Sequence, residues 1–170
     1  MIEIEYINYF EALARKNVQL KHNPEQNWRS FFCIHNPYET AEFDQALRSS
    51  AASTVFLLDA PVGFLSDNGS MNYTQTSKLN YMIVAKANKE RIRQVRNDCF
   101  QIGMDVLERI GADAKKQMII PGKSIYFDAE NINYDVVGPI NLDYYGYAFS
   151  FSLVCPFSFS SKTGAWTDIV

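Results

Sequence analysis

The apolar positions along the chain change period several times, and each change marks an element. Over residues 2–17, Ile2, Tyr6, Tyr9, Phe10 and Leu13 recur at helical spacing, with Glu3, Glu5 and Glu11 off the stripe and Arg15 and Lys16 closing it. That pattern predicts an amphipathic helix with acids at its start and bases at its end, as the helix dipole favours. The chain is then polar and irregular to about Ser30. A second helix is predicted from a capping signal: Asn36 as cap, Pro37 at the first helical position and Glu39 at the third. Phe43, Ala46 and Leu47 face inward from it, and Arg48-Ser49-Ser50 end it.

From Ser53 the period is that of strands. Thr54-Val55-Phe56-Leu57-Leu58 has no polar alternation, as in a strand covered on both faces, and Asp59 and Pro61 interrupt it as a bulge or edge would. Asp67-Asn68-Gly69-Ser70 is a turn signal. Beyond it, Leu79, Tyr81, Ile83 and Ala85 alternate with their neighbours, so the two runs form a hairpin. Between Ser66 and Lys78 aliphatic residues are nearly absent. Arms of roughly 13–16 residues exceed the usual five or six, so the hairpin near 62–80 either projects from the core or gives way to a polar loop.

The strongest helical signal follows. Asn88 is its expected cap, and Ile92, Val95, Cys99, Ile102, Val106 and Ile110 step by three and four, with Phe100, Gly103 and Leu107 widening the stripe. Gly111 stands where a left-handed C-terminal cap is expected. So broad an apolar face calls for a sheet beneath it. After Pro121-Gly122, Ile125, Phe127 and Ala129 share one strand parity, while Ile132, Tyr134 and Val136 share the other, which requires a β-bulge near Glu130-Asn131. Gly138-Pro139 reads as a turn, and Tyr145, Tyr147, Phe149, Phe151, Leu153 and Cys155 then alternate with small residues. The expected class is therefore α+β: an antiparallel sheet of two hairpins against one long helix, preceded by two shorter helices. Residues 1–36 read as a helical extension, 37–159 as the core, and 160–170 as a tail with Trp166, Ile169 and Val170 available to dock.

Composition narrows the function more than it defines it. The 170 residues include 12 Phe, 10 Tyr and 2 Trp, too many aromatics for a disordered chain. No apolar run suits a membrane span, and the start Met1-Ile2-Glu3-Ile4-Glu5 is acidic where a signal peptide is basic, so no membrane partner is expected. Three distant cysteines imply no disulfide framework, and Cys99 and Cys155 fall on apolar faces. Cys33 and His35 are too few for a zinc site and poorly placed for proton transfer. Pro121-Gly122-Lys123-Ser124 lacks the first glycine of a phosphate loop. No catalytic, cofactor-binding or metal-binding residue is assigned, no cofactor is expected, and an enzyme is not the favoured reading.

Charge distribution is more informative than net charge, which is −3. Lys86, Lys89, Arg91, Arg93 and Arg96 crowd the start of the long helix, where its dipole disfavours cations. Between Lys123 and Lys162 there is no basic residue, whereas Asp128, Glu130, Asp135 and Asp143 occur. Opposite charge on two regions of one chain suits head-to-tail self-association. The element order α-β-β-α-β-β, the size and the projecting hairpin resemble the tail-completion or tail-terminator proteins of tailed bacteriophages, over roughly residues 37–157. The resemblance rests on topology and size. It implies a virion structural protein, a ring-forming neck subunit joining head connector to tail and assembled in the host cytoplasm. Its partners would be further copies of itself, other virion proteins and, transiently, packaged DNA. The interface residues expected on this reading are Lys89, Arg91, Arg93, Arg96, Asp128, Glu130, Asp135, Asn68, Tyr73 and Trp166. The alternative is a cytosolic α+β enzyme or ligand-binding domain using the carboxylates Asp128, Glu130 and Asp135.

Overall fold

A computed structural model describes residues 3–35, 40–50, 52–67, 69 and 72–159. In chain order the elements are α1 (Glu3–Lys16), a 3-10 turn (Pro24–Gln26), β1 (Phe31–Ile34), α2 (Thr40–Ser49), β2 (Thr54–Asp59), β3 (Val62–Asp67), β4 (Tyr73–Lys86), α3 (Ile92–Lys115), β5 (Tyr126–Ile140) and β6 (Tyr144–Phe157). The fold is α+β, with α3 lying on a six-stranded sheet ordered β1-β2-β4-β6-β5, and β3 also pairing with β4. All pairs are antiparallel except β1 with β2, which run parallel. Parallel β1 makes the sheet mixed rather than wholly antiparallel. Its four residues are too few to show a period.

Side-chain alternation sorts the two faces. Phe56, Leu58, Leu79, Tyr81, Ile83, Phe149, Phe151 and Leu153 share the main core with Tyr6, Phe10, Leu13 and Ala14 of α1 and Val95, Cys99, Ile102, Val106 and Ile110 of α3. The opposite face is covered at one end, where Ala46 and Leu47 of α2 pack with Ile34, Val55, Leu57, Val84 and Tyr144. Fully burying a side chain of this size stabilises by roughly 1.5–3 kcal/mol, so α1 cannot be an appendage to the core. It is further tied to α3: the Tyr9 hydroxyl donates to Asp113 Oδ2 at 3.1 Å, and Arg109 Nε donates to the same buried carboxylate at 2.9 Å. Lys123 pairs with Glu5. Residues on both sides of position 36 therefore contribute to one core.

The hairpin is real, and longer than a loop would be. β2 and β3 form one arm, broken at Ala60-Pro61, and both pair with β4 on the same side. β4 pairs along its other side with the whole of β6, from Tyr73 opposite Phe157 to Lys86 opposite Tyr144. The distal half of β4 is thus a central strand, and β3 is the edge strand of this hairpin, exposed at all six residues.

Three local expectations are corrected. α3 runs through Gly111 to Lys115, because Ala112, Ala114 and Lys115 continue the helix and Asp113 is held by Arg109; the left-handed residue is Gln117 (φ 56°). Asn88 Oδ1 accepts from Arg91 N at 3.1 Å, capping the turn that precedes the helix rather than its first turn. Gly138-Pro139 lies inside β5, where a Cβ on Gly138 would meet Tyr144 O at 2.5 Å; the reversal falls at Asn141–Asp143. The parity switch in β5 is a bulge, as expected: register breaks between Asp128 and Asn133, and Asp128 accepts from Glu130 N and Asn131 Nδ2, both at 3.0 Å. The capping signal at Asn36, Pro37 and Glu39 and the tail from residue 160 lie outside the described residues, as do Asn68 and Trp166.

Candidate functional site

The start of α3 concentrates positive potential. Arg91 is the cap residue without a side-chain capping bond, and the first turn carries no acid. Its unsatisfied N–H groups and the cations therefore add rather than cancel. Lys86 and Arg96 are engaged within the subunit. Lys86 Nζ is 3.8 Å from Asp143 Oδ2 and 5.4 Å from the centre of the Tyr144 ring. The Arg96 guanidinium lies 5.5 Å from the Tyr145 ring centre, and its Nε is buried without a hydrogen-bond partner. Lys89, Arg91 and Arg93 are exposed, and none of them forms an ion pair among the described residues.

The acids of β5 stand apart from those bases. Asp128 is used by the bulge, while Glu130 and Asp135 are exposed. Asp128 pairs with Ser152 and Asp135 with Ala148, which alternate with the core-facing Phe149 and Phe151. Both carboxylates therefore project from the face opposite α3. Four residues of β6 separate their partners, about 13 Å along the strand. The carboxylate set Asp128, Glu130 and Asp135 is not brought together, and no three His, Cys, Asp or Glu side chains among the described residues are placed to hold a metal. Asp128 lines a cavity of about 480 Å³, beside Phe64, Lys78, Asn80, Asn133 and Ser152.

Cys33 and His35 do not form a nucleophile pair. Burial pushes the Cys33 thiol up to about 11, and His35 Nδ1 lies 2.9 Å from Glu42 Oε1. The double variant Cys33→Ala/His35→Ala should lose at most about 1 kcal/mol of stability, because a half-buried thiol and an exposed ring are removed. Its native mass should be unchanged; a specific loss of assembly in the folded variant would show a role for the pair. Cys99 and Cys155 are buried, and burial pushes the Cys99 thiol up to about 12.

Asp59 sits in an environment that opposes its charge. It ends β2, its Oδ1 is buried without a partner, and burial raises it to about 6. A folded value above the unfolded one means the folded state binds the extra proton, so stability falls as pH rises from about 4 through 6. Asp59→Asn should flatten that window and raise stability at pH 7 by about 1 kcal/mol, discounted for partial exposure. Urea melts of both proteins at pH 4.5 and 7 check this; equal pH dependence in the two would refute it.

Tyr73 packs edge-on to Phe159, ring centres 4.8 Å apart, at the far end of β4. Sequence reasoning missed a long apolar groove between α3 and β5, bordered by Met104, Gly111, Phe127, Ile132 and Tyr134. Its signal was present: Gly111-Ala112 puts two small residues in succession near the end of α3. It also missed His22, whose Nδ1 accepts from Ser30 N and Phe31 N at 3.1 Å each, pinning the chain ahead of β1. Among the described residues, no helix is long and apolar enough to cross a membrane. No family model matches this chain, and no curated protein is similar to it in sequence.

Proposed function

We propose that this chain is a virion structural subunit that assembles head to tail into a ring at the neck of a tailed phage, joining head connector to tail. The observation that carries the reading is the exposed basic cluster Lys89, Arg91 and Arg93 at the start of α3, which forms no ion pair among the described residues, with Glu130 and Asp135 on β5 likewise exposed and without an ion pair among them. Cations placed against their own helix dipole cost a few tenths of a kcal/mol each, a cost that a neighbour's acids would offset. A heterologous contact joins two different patches and closes into a ring when its rotation allows. The long antiparallel hairpin and the lack of converging carboxylates among the described residues agree with a structural role. The same exposed cations are the groups that packaged DNA would meet in passing.

Sedimentation of the purified full chain tests the reading. A discrete oligomer is expected at low ionic strength, losing mass as salt rises, because exposed ion pairs are screened over about 8 Å at physiological salt. A monomer at low salt across the accessible concentration range would overturn it.

A further inference from the structure

We propose that the groove between α3 and β5 binds a free fatty acid, its carboxylate held at the end marked by Lys115 and Lys116 and its alkyl tail laid along the groove toward Met104. The groove has a volume of about 980 Å³, at the upper end of the range for small-molecule sites. Its walls are apolar: Met104, Leu107 and Gly111 of α3 face Phe127, Ile132 and Tyr134 of β5. From Met104 to Lys115 the helix rises by about 16 Å, so the space is long and suits an extended chain. The aromatic wall is preformed, because the Tyr134 ring lies edge-on to Phe100 at 5.2 Å between ring centres and Phe127 rests on Phe151 at 5.6 Å. Little ordering therefore opposes burial of the tail. Gly111 leaves room beside that wall: a Cβ there would stand in ordinary contact with the Phe127 ring, at 3.7 Å.

Charge complementarity fixes the head group and its direction. Lys115 and Lys116 border one end of the groove, are exposed, and form no ion pair among the described residues. The last carbonyls of a helix would ordinarily repel an anion placed there. Here Asp113 O accepts from Lys116 N and Met118 N, and Ala114 O accepts from Gln117 N and Gln117 Nε2, so the helix end presents amines and not free carbonyls. Glu108 also borders the groove, seven residues and about 10 Å up the helix from Lys115. It disfavours the reverse orientation and a second negative group, which leaves a monoanion with its head at the lysine end. The groove opens on the α3 side of the sheet, whereas Asp128 and Asp135 project from the other side. The proposal therefore stands or falls apart from the ring contact.

Titration calorimetry of the full chain with octanoate, decanoate and dodecanoate, each below its micelle concentration, is the test. Saturable binding of a single molecule per chain is expected, with Kd falling roughly tenfold for each two methylenes added. Lys115→Gln/Lys116→Gln should weaken decanoate by about fivefold and leave the uncharged decanol unchanged. Gly111→Leu should abolish binding of both, with helix content unchanged because leucine is the better helix former. On the unmodified chain, decanoate carrying a terminal diazirine should label α3 around Met104 and β5 around Tyr134, a readout that needs no variant to fold. Absence of saturable dodecanoate binding overturns the proposal. So does an affinity indifferent to chain length, an equal loss of decanoate and decanol in the lysine variant, or a label that falls outside α3 and β5. Binding to anionic phosphatidylglycerol vesicles without binding of the monomeric acids would also overturn it, and would assign the groove to a membrane surface.

Discussion

Gly103→Val is expected to lower stability by about 3–5 kcal/mol, a large part of the roughly 5–15 kcal/mol that holds a domain of this size together. Gly103 sits in the middle of α3 under the Phe149 ring, and a Cβ there would lie 2.0 Å from Phe149 Cε2 and 2.3 Å from Cζ. The ring has nowhere to go. It stacks against Tyr81 at 5.1 Å and 15°, and against Phe100 at 5.9 Å and 30°, and is 1% exposed. Tyr81 is itself locked, because its hydroxyl donates to Gly103 O at 2.7 Å. Overpacking by even one or two methyl groups typically costs about 1–3 kcal/mol, and a ring held on both sides places this site at or above that range. Valine adds a β-branched penalty in the helix, whereas alanine recovers about 1 kcal/mol of helix propensity, so Gly103→Ala should be the milder change. At about 2–4 °C per kcal/mol for a chain of this length, Gly103→Val should melt roughly 10–15 °C lower. Thermal melts followed by circular dichroism decide it. Pairing Gly103→Val with Phe149→Leu should return part of the loss, which a simple helix-propensity effect would not do. A Gly103→Val protein within 1 kcal/mol of the parent would mean that the ring is free to move.

Reversing Arg91 and Arg93 to Glu should dissociate the oligomer while leaving the monomer folded. Both residues are exposed, and neither forms an ion pair within the subunit among the described residues. Losing them removes no internal contact, and acids at a helix start suit the dipole, so the monomer should be slightly more stable. At the interface each reversal turns an attraction into a repulsion. Exposed pairs are worth about 0.2–1 kcal/mol, so two reversals amount to about 2 kcal/mol, or some thirtyfold, per interface. A closed ring multiplies that factor over its interfaces. The complementary variant Glu130→Arg/Asp135→Arg should restore native mass when combined with Arg91→Glu/Arg93→Glu and disrupt it alone. Asp128 is left in place because it holds the β5 bulge together. Unchanged mass in the reversed protein at low salt would show that the charge asymmetry is not an assembly device.

The gradient of charge along the chain, the long amphipathic helix and the strand alternation were all legible in the residues, because each is a local property. The stripe Val95, Cys99, Ile102, Val106 and Ile110 defines a buried helix face whatever it meets. The large-small alternation of 144–157 likewise defines a strand with one core face, and the parity switch near Glu130 defines a bulge. Where elements stop was less legible. Gly111 carries the residue preference of a cap, yet α3 continues, because the carboxylate two residues on is clamped by Arg109 from its own helix and by Tyr9 from α1. That clamp spans 104 residues of sequence, so no local pattern could announce it.

The same division explains the surfaces. The basic start of α3 was readable as composition. Only the tertiary structure separated Lys86 and Arg96, engaged by Asp143 and by tyrosine rings, from Lys89, Arg91 and Arg93, which form no ion pair among the described residues. Likewise, four acids on one hairpin suggested a cluster, but strand geometry places Asp128 and Asp135 too far apart along β5 to act together. By itself the sequence determined the class of fold, the long helix and its partner strands, and the segregation of charge, since periodicity and charge are carried residue by residue. The tertiary structure decided that α1 belongs to the core, that β1 joins the sheet in parallel, and that small residues at 111 and 112 open a groove beneath Tyr134. Those outcomes depend on which distant faces meet, and burial of apolar area between them, not local preference, selects the arrangement.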